Sequence, residues 1–244
     1  FSGAAAEIRA YVRIQDQEPG EIDLIGVRGN LLVIRLRGLE KGEATVPLDR
    51  VESIEFRLPR DAAEAMRAVE QGDWVTVANK LGPTAVVLMD YLDLRKGDAL
   101  KYVRIYADAL RYAGRYDEAL RIFERLRKSD DAATVQKAAA WMAYLLAKKG
   151  DIQGAKKSLE GINEITRGSE VHSLVHLTSG ELKYTEKDYL KALDDVTQVV
   201  AFDRLESGLY PEALFVSALC YEAMAEQRRE DLLKRREADL KRSR

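Results

Sequence analysis

Two histidines four residues apart, His172 and His176 in the segment EVHSLVH, are the residues whose spacing best suits metal chemistry. On a helix this spacing places both imidazoles on one face, where they can ligate the same ion. The glutamate that directly follows the first histidine in helical zinc proteases is missing here. No third ligand stands out, although Glu170 or Glu181 could reach. The pair is a candidate metal site, with two surface or groove histidines as the alternative.

Signatures of catalysis are missing from the sequence. There is no glycine-rich phosphate loop, nucleophile elbow or dinucleotide fingerprint. The 41 acidic residues form many pairs by chance, so no general acid and base can be assigned. Cys220 lies in the apolar segment LFVSALCYEA, which favours a small buried thiol over a nucleophile. We therefore expect no catalytic residue and no cofactor.

The composition is that of a folded protein with no strong electric field. The chain has 244 residues, 46% hydrophobic and 33% charged, and a net charge of −2. Such a balance does not attract nucleic acid or an anionic membrane. The longest apolar run, residues 138–147, is far too short to span a membrane. A single cysteine excludes an internal disulfide.

The stretch Leu100–Arg127 predicts two amphipathic helices that fold back on each other at Gly114. The first helix carries apolar residues at spacings of three and four, and Gly114 supplies a residue that tolerates positive φ. The second helix has Asp117 and Glu118 in its first turn, where negative charge is favoured. The apolar positions are Val103, Tyr106, Ala107 and Leu110 in the first helix, and Tyr116, Ala119, Leu120, Phe123 and Leu126 in the second.

The same pattern returns twice more. Gly150 follows Gly114 by 36 residues, and Ala192 follows Ala155 by 37 residues at the matching small position. A further first helix is predicted over 211–225. Helix pairs that recur at this period indicate a stacked helical array.

These segments resemble the tetratricopeptide repeat family. The likeness covers about 98–226, with residues from 61 onward as a possible extra copy, and it is strongest in GRYDEALRIFERL, GDIQGAKKSL and KDYLKAL. The repeats are degenerate. His176 and Ser179 fill the usual tryptophan and leucine positions of the third copy. The closing prolines are replaced by Asp131, Arg167 and Arg204.

The resemblance implies a superhelix whose first helices line a concave groove for a peptide or a partner helix. Carried over by position, the groove residues are Lys101, Arg104, Asp108, Tyr112, Lys137, Tyr144, Lys148, Glu181 and Tyr184. Asp108 and Tyr144 stand where members that clamp a terminal carboxylate have asparagine. The resemblance therefore does not imply that kind of clamp.

Residues 7–58 predict a separate β module of five short strands. The strands are expected around Ile8–Ile14, Ile22–Val27, Leu31–Leu36, Ala44–Val46 and Val51–Phe56, with turns at Pro19-Gly20, Gly29-Asn30 and Lys41-Gly42. Pro47 fits an edge strand. The strand rhythm favours a small barrel, with Tyr11 and Phe56 in its core. The segments GNLLVIRL and GEATVPLDRVESIEF resemble Sm-like and Src-homology-type (SH3-type) barrels, which implies a shape and no ligand.

The boundary between strands and helices is expected at Leu58-Pro59. The predicted fold class is α+β by segregated domains: a five-stranded barrel over 1–59, a tetratricopeptide-like helical domain over 60–227, and a charged capping helix or tail over 228–244. Asp61 with Glu64 suggests a capping box. Gly82-Pro83 suggests a helix end, with a further helix over 84–94, and Asp98 suggests the N-cap of the next helix.

The predicted function is a non-enzymatic interaction or scaffold protein that binds a protein or peptide partner. One alternative is an enzyme accessory or degenerate hydrolase with a site at the barrel–helix junction. The other is nucleic-acid binding through the barrel and the basic tail. The nine basic and ten acidic residues of 1–60 speak against the last. The segment SGAAAE resembles the end of a secretory signal peptide, so a periplasmic or cell-envelope location is expected, with the cytoplasm as the alternative.

Overall fold

The structure, a computed structural model, describes residues 8–35, 42–92, 94, 96–163, 165–203 and 208–242. Within these residues a sheet of five strands is followed by nine α-helices, which confirms the segregated α+β class. The chain forms two compact units, residues 1–131 and 132–244. Each is described below by itself.

The sheet of the first unit contains all five predicted strands. They are β1 (Ile8–Ile14), β2 (Gly20–Arg28), β3 (Leu31–Arg35), β4 (Glu43–Pro47) and β5 (Val51–Phe56). The strands are antiparallel in the order β4-β3-β2-β1-β5, which places β4 and its Pro47 at an edge as predicted. The turn at Gly29-Asn30 is confirmed, whereas Lys41 lies outside the described residues.

Alternation along β1 decides which residues enter the core of the sheet. Ile8, Ala10 and Val12 are buried, while Tyr11 on the opposite face is 39% exposed. The prediction that Tyr11 fills the core is therefore wrong, because successive residues of a strand face opposite sides. Phe56 is buried as expected, and its ring lies 5.4 Å from that of Tyr91 in the helical part of this unit.

The segment before the third helix runs along β5 and ties the sheet to the helices of the first unit. The N–H of Ile54 donates to the carbonyl of Lys96 (3.0 Å). The N–H of Phe56 donates to the Asp98 carboxylate (3.1 Å). Asp98 precedes a helix, but its side chain makes no capping hydrogen bond there. The capping role predicted for this carboxylate is wrong, because the carboxylate accepts a hydrogen bond from Phe56 in β5 instead.

The helices of the first unit are α1 (Arg60–Glu70), α2 (Trp74–Leu88), α3 (Ala99–Tyr112) and α4 (Tyr116–Leu126), with a short 3-10 helix at Met89–Tyr91. The capping box predicted at Asp61 and Glu64 is wrong. Helix α1 begins at Arg60, so Asp61 lies inside it, and the N-cap residue is Pro59, which makes no side-chain capping hydrogen bond. Glu64 instead pairs with Arg60 and Lys80.

The helix end predicted at Gly82-Pro83 is also wrong, since α2 continues through both residues to Leu88. The helix expected over 84–94 is therefore the second half of α2. Gly82 serves the packing of α2 on α3: a Cβ placed there would lie 3.1 Å from the hydroxyl of Tyr106. The glycine allows a close approach between helices, and its sequence signal resembles that of a helix stop.

The second unit consists of α5 (Ala132–Lys148), α6 (Ile152–Glu160), α7 (Glu170–Thr185), α8 (Tyr189–Phe202) and α9 (Tyr210–Arg242). Its core includes Trp141, Leu145, Leu174, Leu177 and Val196. Helix α9 is continuous where a first helix ending at Ala225 and a separate charged segment were predicted. Its residues 225–242 are all exposed. The domain limits at 59/60 and 227/228 remain predictions.

The helical hairpins share one turn geometry. In each, a residue with positive φ ends the first helix: Gly72 (+69°), Gly114 (+71°), Gly150 (+81°) and Lys187 (+64°). Its N–H donates to the carbonyl three residues back, and the next N–H donates to the carbonyl five residues back. These two backbone hydrogen bonds satisfy carbonyl groups that the end of a helix leaves without a partner. Because the 72–73 turn shares it, α1 and α2 form one more hairpin of this kind.

Candidate functional site

The first helices of the second unit lie side by side. Helix α5 packs on both α6 and α7, and α7 packs on both α8 and α9. Helices α5, α7 and α9 are therefore neighbours, as stacking of repeated hairpins predicts. Predicted groove residues of α5 and α7 meet along these helices. Together with two glutamates they form a polar face, which consists of Lys137, Tyr144, Lys148, Glu170, Glu181 and Glu212.

Lys148 connects all three first helices. Its ammonium group forms ion pairs with Glu181 on α7 and with Glu212 on α9, the latter at 3.2 Å. The Tyr144 hydroxyl donates to the same Glu212 carboxylate. This cluster fixes α5, α7 and α9 against one another at a single point.

Charge and burial shift the pKa values in this cluster. Burial by itself would lower the pKa of Lys148, but the carboxylates of Glu181 and Glu212 outweigh that effect and raise it. Burial raises the pKa of Glu181, which Lys148 only partly offsets, and the nearby Glu212 raises it further. One lysine thus balances two carboxylates in a half-buried setting.

A second contact on the polar face joins the N-terminal parts of α5 and α7. The indole N–H of Trp141 donates to Glu170 Oε1 (2.7 Å), and Lys137 forms an ion pair with the same carboxylate. Sequence reasoning named Lys137 as a groove residue but missed Trp141 and Glu170 in this role. The sequence offers little sign of this contact, because Trp141 lies inside an apolar run and Glu170 follows it by 29 residues.

Tyr184 lies one helical turn beyond Glu181 and is partly exposed. Its ring lies 5.5 Å from that of Tyr189 at the start of α8. The structure thus brings Lys137, Tyr144, Lys148 and Glu181 into paired contacts, and places Tyr184 in contact with the second helix of its hairpin.

The other four predicted groove residues lie on α3 in the first unit. Lys101 is exposed and Arg104 is partly buried. Asp108 lies 3.9 Å from the Arg111 guanidinium. Tyr112 stacks on Trp74, with ring centroids 4.8 Å apart and planes at 19°. The stacking of Tyr112 on Trp74 joins α3 to its neighbour α2.

The two histidines lie next to each other in the structure. Their rings lie 4.5 Å apart, and His176 Nδ1 lies 3.2 Å from an Asp195 oxygen. His172 is buried, and its Nδ1 has no hydrogen-bond partner within the described part of the chain. Burial, then His176 and Arg167, lower the pKa of His172. Among the residues described, no group of three or more His, Cys, Asp or Glu side chains could hold a metal ion.

The junction of sheet and helices in the first unit contains a cavity of about 270 Å³. Its lining is Asn30, Leu48, Asp49, Val51, Ile54, Leu94 and Lys96. Asp49 is the one carboxylate among the described residues that line it, and the Lys96 ammonium donates to the Val51 carbonyl. His172 and His176 are not among the described residues of this lining.

No helix in the described part of the chain is both long enough and apolar enough to cross a membrane.

Comparison with known families supports the repeat interpretation for part of the chain. Residues 104–176 match a family model described as Tetratricopeptide repeat. The match runs from α3 into α7 and covers less than a third of the 244 residues. No curated protein matches the chain. The repeat family indicates protein–protein interaction in general. The likeness of the β module to Sm-like or SH3-type barrels lies outside the match and remains a prediction.

Proposed function

We propose that this protein is a non-enzymatic scaffold that holds a peptide or helix of a partner protein on the polar face of α5, α7 and α9. The observation that supports this most is the set of ion pairs from Lys148 to Glu181 and Glu212. These pairs join three helices into one pre-formed surface. A pre-formed surface lowers the ordering cost of binding.

The chemistry of the polar face suggests what the partner offers. Lys137 and Glu170 have side chains about 30% exposed, as does Glu212, so both signs of charge are reachable from solvent. Their charges are already paired within the chain. A segment of strong single charge would have to break those pairs, whereas a segment with both signs, and an apolar surface for Tyr184, can add to them.

Affinity capture with quantitative mass spectrometry tests this function. Lys137→Glu is compared with wild type and with Lys157→Glu, an exposed charge reversal on the second helix α6. Arg104→Glu, alone and combined with Lys137→Glu, tests whether the predicted groove residues of α3 also contribute to binding. We expect the same proteins to be lost with Lys137→Glu and retained with Lys157→Glu. Equal loss with both variants, or no loss with either, would contradict binding at the polar face.

A further inference from the structure

Helix α9 has two faces of different character. Ala213, Val216 and Cys220 are buried in the second unit. The opposite side of the helix is exposed although it carries large apolar side chains: Leu214 is 45% exposed, Phe215 63% and Tyr221 64%. A large part of each of these side chains is open to solvent in the described part of the chain.

The second half of α9 extends this exposed stripe. Leu232 lies 18 residues after Leu214, which is five full turns, so both lie on the same side of the helix. Leu232, Leu233 and Leu240 are each about half exposed. Residues 225–242 are all exposed, so none of the described residues of this half is part of the core. A helix that is polar on most sides is stable alone only when many i,i+4 pairs support it.

Charge divides α9 into two complementary halves. Residues 210–227 contain three acidic side chains and no basic ones, a net charge of −3. Residues 228–242 contain seven basic and four acidic side chains, a net charge of +3. Two such helices attract each other when they run antiparallel. In a parallel arrangement, like-charged halves would meet.

We propose that two copies of this chain associate through an antiparallel pair of α9 helices. The basic tail of each copy lies along the exposed stripe of the other copy and covers Leu214 and Tyr221. The lengths agree, since the tail of 15 residues spans about 22 Å, and the exposed stripe from 211 to 225 spans the same distance. The association goes beyond the proposed function, because the exposed charges that test it, Glu222, Glu226, Arg229 and Arg236, do not belong to the polar face.

Charge-reversal variants of α9, measured separately and as a mixture, test the antiparallel pairing of two α9 helices. Glu222→Lys with Glu226→Lys changes the acidic half to +1, and Arg229→Glu with Arg236→Glu changes the tail to −1. All four side chains are exposed, so the fold is expected to remain, as circular dichroism can verify. Glu124→Lys on α4, also exposed, is the matched control.

Sedimentation equilibrium over a concentration series gives the readout. We expect the wild type and the control to dimerise, and each double variant to have a dissociation constant raised by at least about tenfold. An equimolar mixture of the two double variants should dimerise again, since the halves are then complementary. A monomeric wild type would overturn the proposal, and would mean that another segment or another protein covers the stripe. A dimer that neither double variant weakens, or a mixture that stays monomeric, would also overturn it.

Discussion

Lys187 ends its helix in the same backbone conformation as Gly150 ends the helix one hairpin earlier. The φ angles are +64° and +81°, and in both turns the next residue is an aspartate that caps the following helix. Glycine adopts this conformation without cost, whereas a residue with a Cβ is strained there by about 1 kcal/mol. The third repeat therefore keeps the turn of its neighbours but lacks the residue that favours it.

Replacing this lysine should stabilise the second unit. We expect Lys187→Gly to raise the free energy of unfolding by about 0.5 to 1 kcal/mol, because relief of the strained φ exceeds the added chain entropy of glycine. Urea denaturation measures the change. Glu186→Gly, one residue earlier in right-handed backbone, is the control and should destabilise. Equal effects of both variants would contradict the strain at residue 187.

Tyr91→Phe should also stabilise the protein. Tyr91 is 1% exposed, and its hydroxyl has no hydrogen-bond partner among the residues that the structure describes. Removing a buried hydroxyl that lacks a partner should gain about 1 kcal/mol. Tyr102→Phe is the contrasting variant, because the Tyr102 hydroxyl interacts with Asp98. It should lower the melting temperature where Tyr91→Phe raises it. A lower melting temperature for Tyr91→Phe would be the contrary result.

The same tyrosine predicts behaviour at alkaline pH. Burial, with a smaller effect from Asp90, raises the pKa of Tyr91 from 10.0 to about 12. The folded state holds this proton more tightly than the unfolded state, so its contribution to stability is present below pH 10 and is lost as pH rises towards about 12. Unfolding free energies measured across that window should fall less steeply for Tyr91→Phe. An identical slope would count against this assignment.

Acid should weaken the second unit through His172. Burial and the neighbouring charges lower the pKa of this imidazole below 6.5, so its neutral form is favoured when folded. The contribution of His172 to the free energy of unfolding is fully present above pH 6.5, and it is lost as the pH falls towards the pKa of His172 in the folded state. Asp195, whose pKa is lowered below 3.8 despite the opposing effect of burial, contributes only at lower pH.

The measurement is unfolding free energy from about pH 7 to about pH 5. We expect His172→Leu to flatten the decline relative to wild type. Asp195→Asn should destabilise the fold without flattening it, since Asp195 accepts from Lys183. A wild-type decline that His172→Leu leaves unchanged would exclude His172 as its source.

Lys148 should be the most sensitive position of the polar face. Lys148→Met leaves Glu181 and Glu212 without their shared cation, and we expect a loss of about 1 to 3 kcal/mol, less than for a fully buried pair because the side chain is 27% exposed. Glu181→Gln added to this variant removes one uncompensated charge and should recover part of the loss. Chemical denaturation of the two variants decides the matter: a double variant less stable than Lys148→Met would contradict this role.

Local patterns predicted the hairpins well and the longer contacts poorly. Gly114 and Gly150 mark turns because a positive φ is a local requirement, and strand alternation is equally local. The predictions for Gly82 and Asp98 were wrong because both roles depend on distant contacts. Gly82 packs against Tyr106, and Asp98 accepts from the edge strand β5. Such a contact is decided by tertiary packing.

The polar face was likewise predicted only in part. Position within a repeat identified Lys137, Tyr144, Lys148 and Glu181 as facing one way. It could not show that Tyr144 donates to Glu212, 68 residues later, because that contact depends on how α5 and α9 stack. Sequence reasoning therefore named the groove residues without the ion pairs that the structure shows between them.

Site-specific photocrosslinking tests whether a partner binds at the polar face. A benzophenone amino acid is placed at Tyr184, beside the polar face, or at Lys157, on the second helix α6, and the crosslinked proteins are identified by mass spectrometry. We expect a partner protein to be crosslinked from position 184 and not from position 157. Crosslinks formed from position 157 but not from position 184 would contradict binding at the polar face.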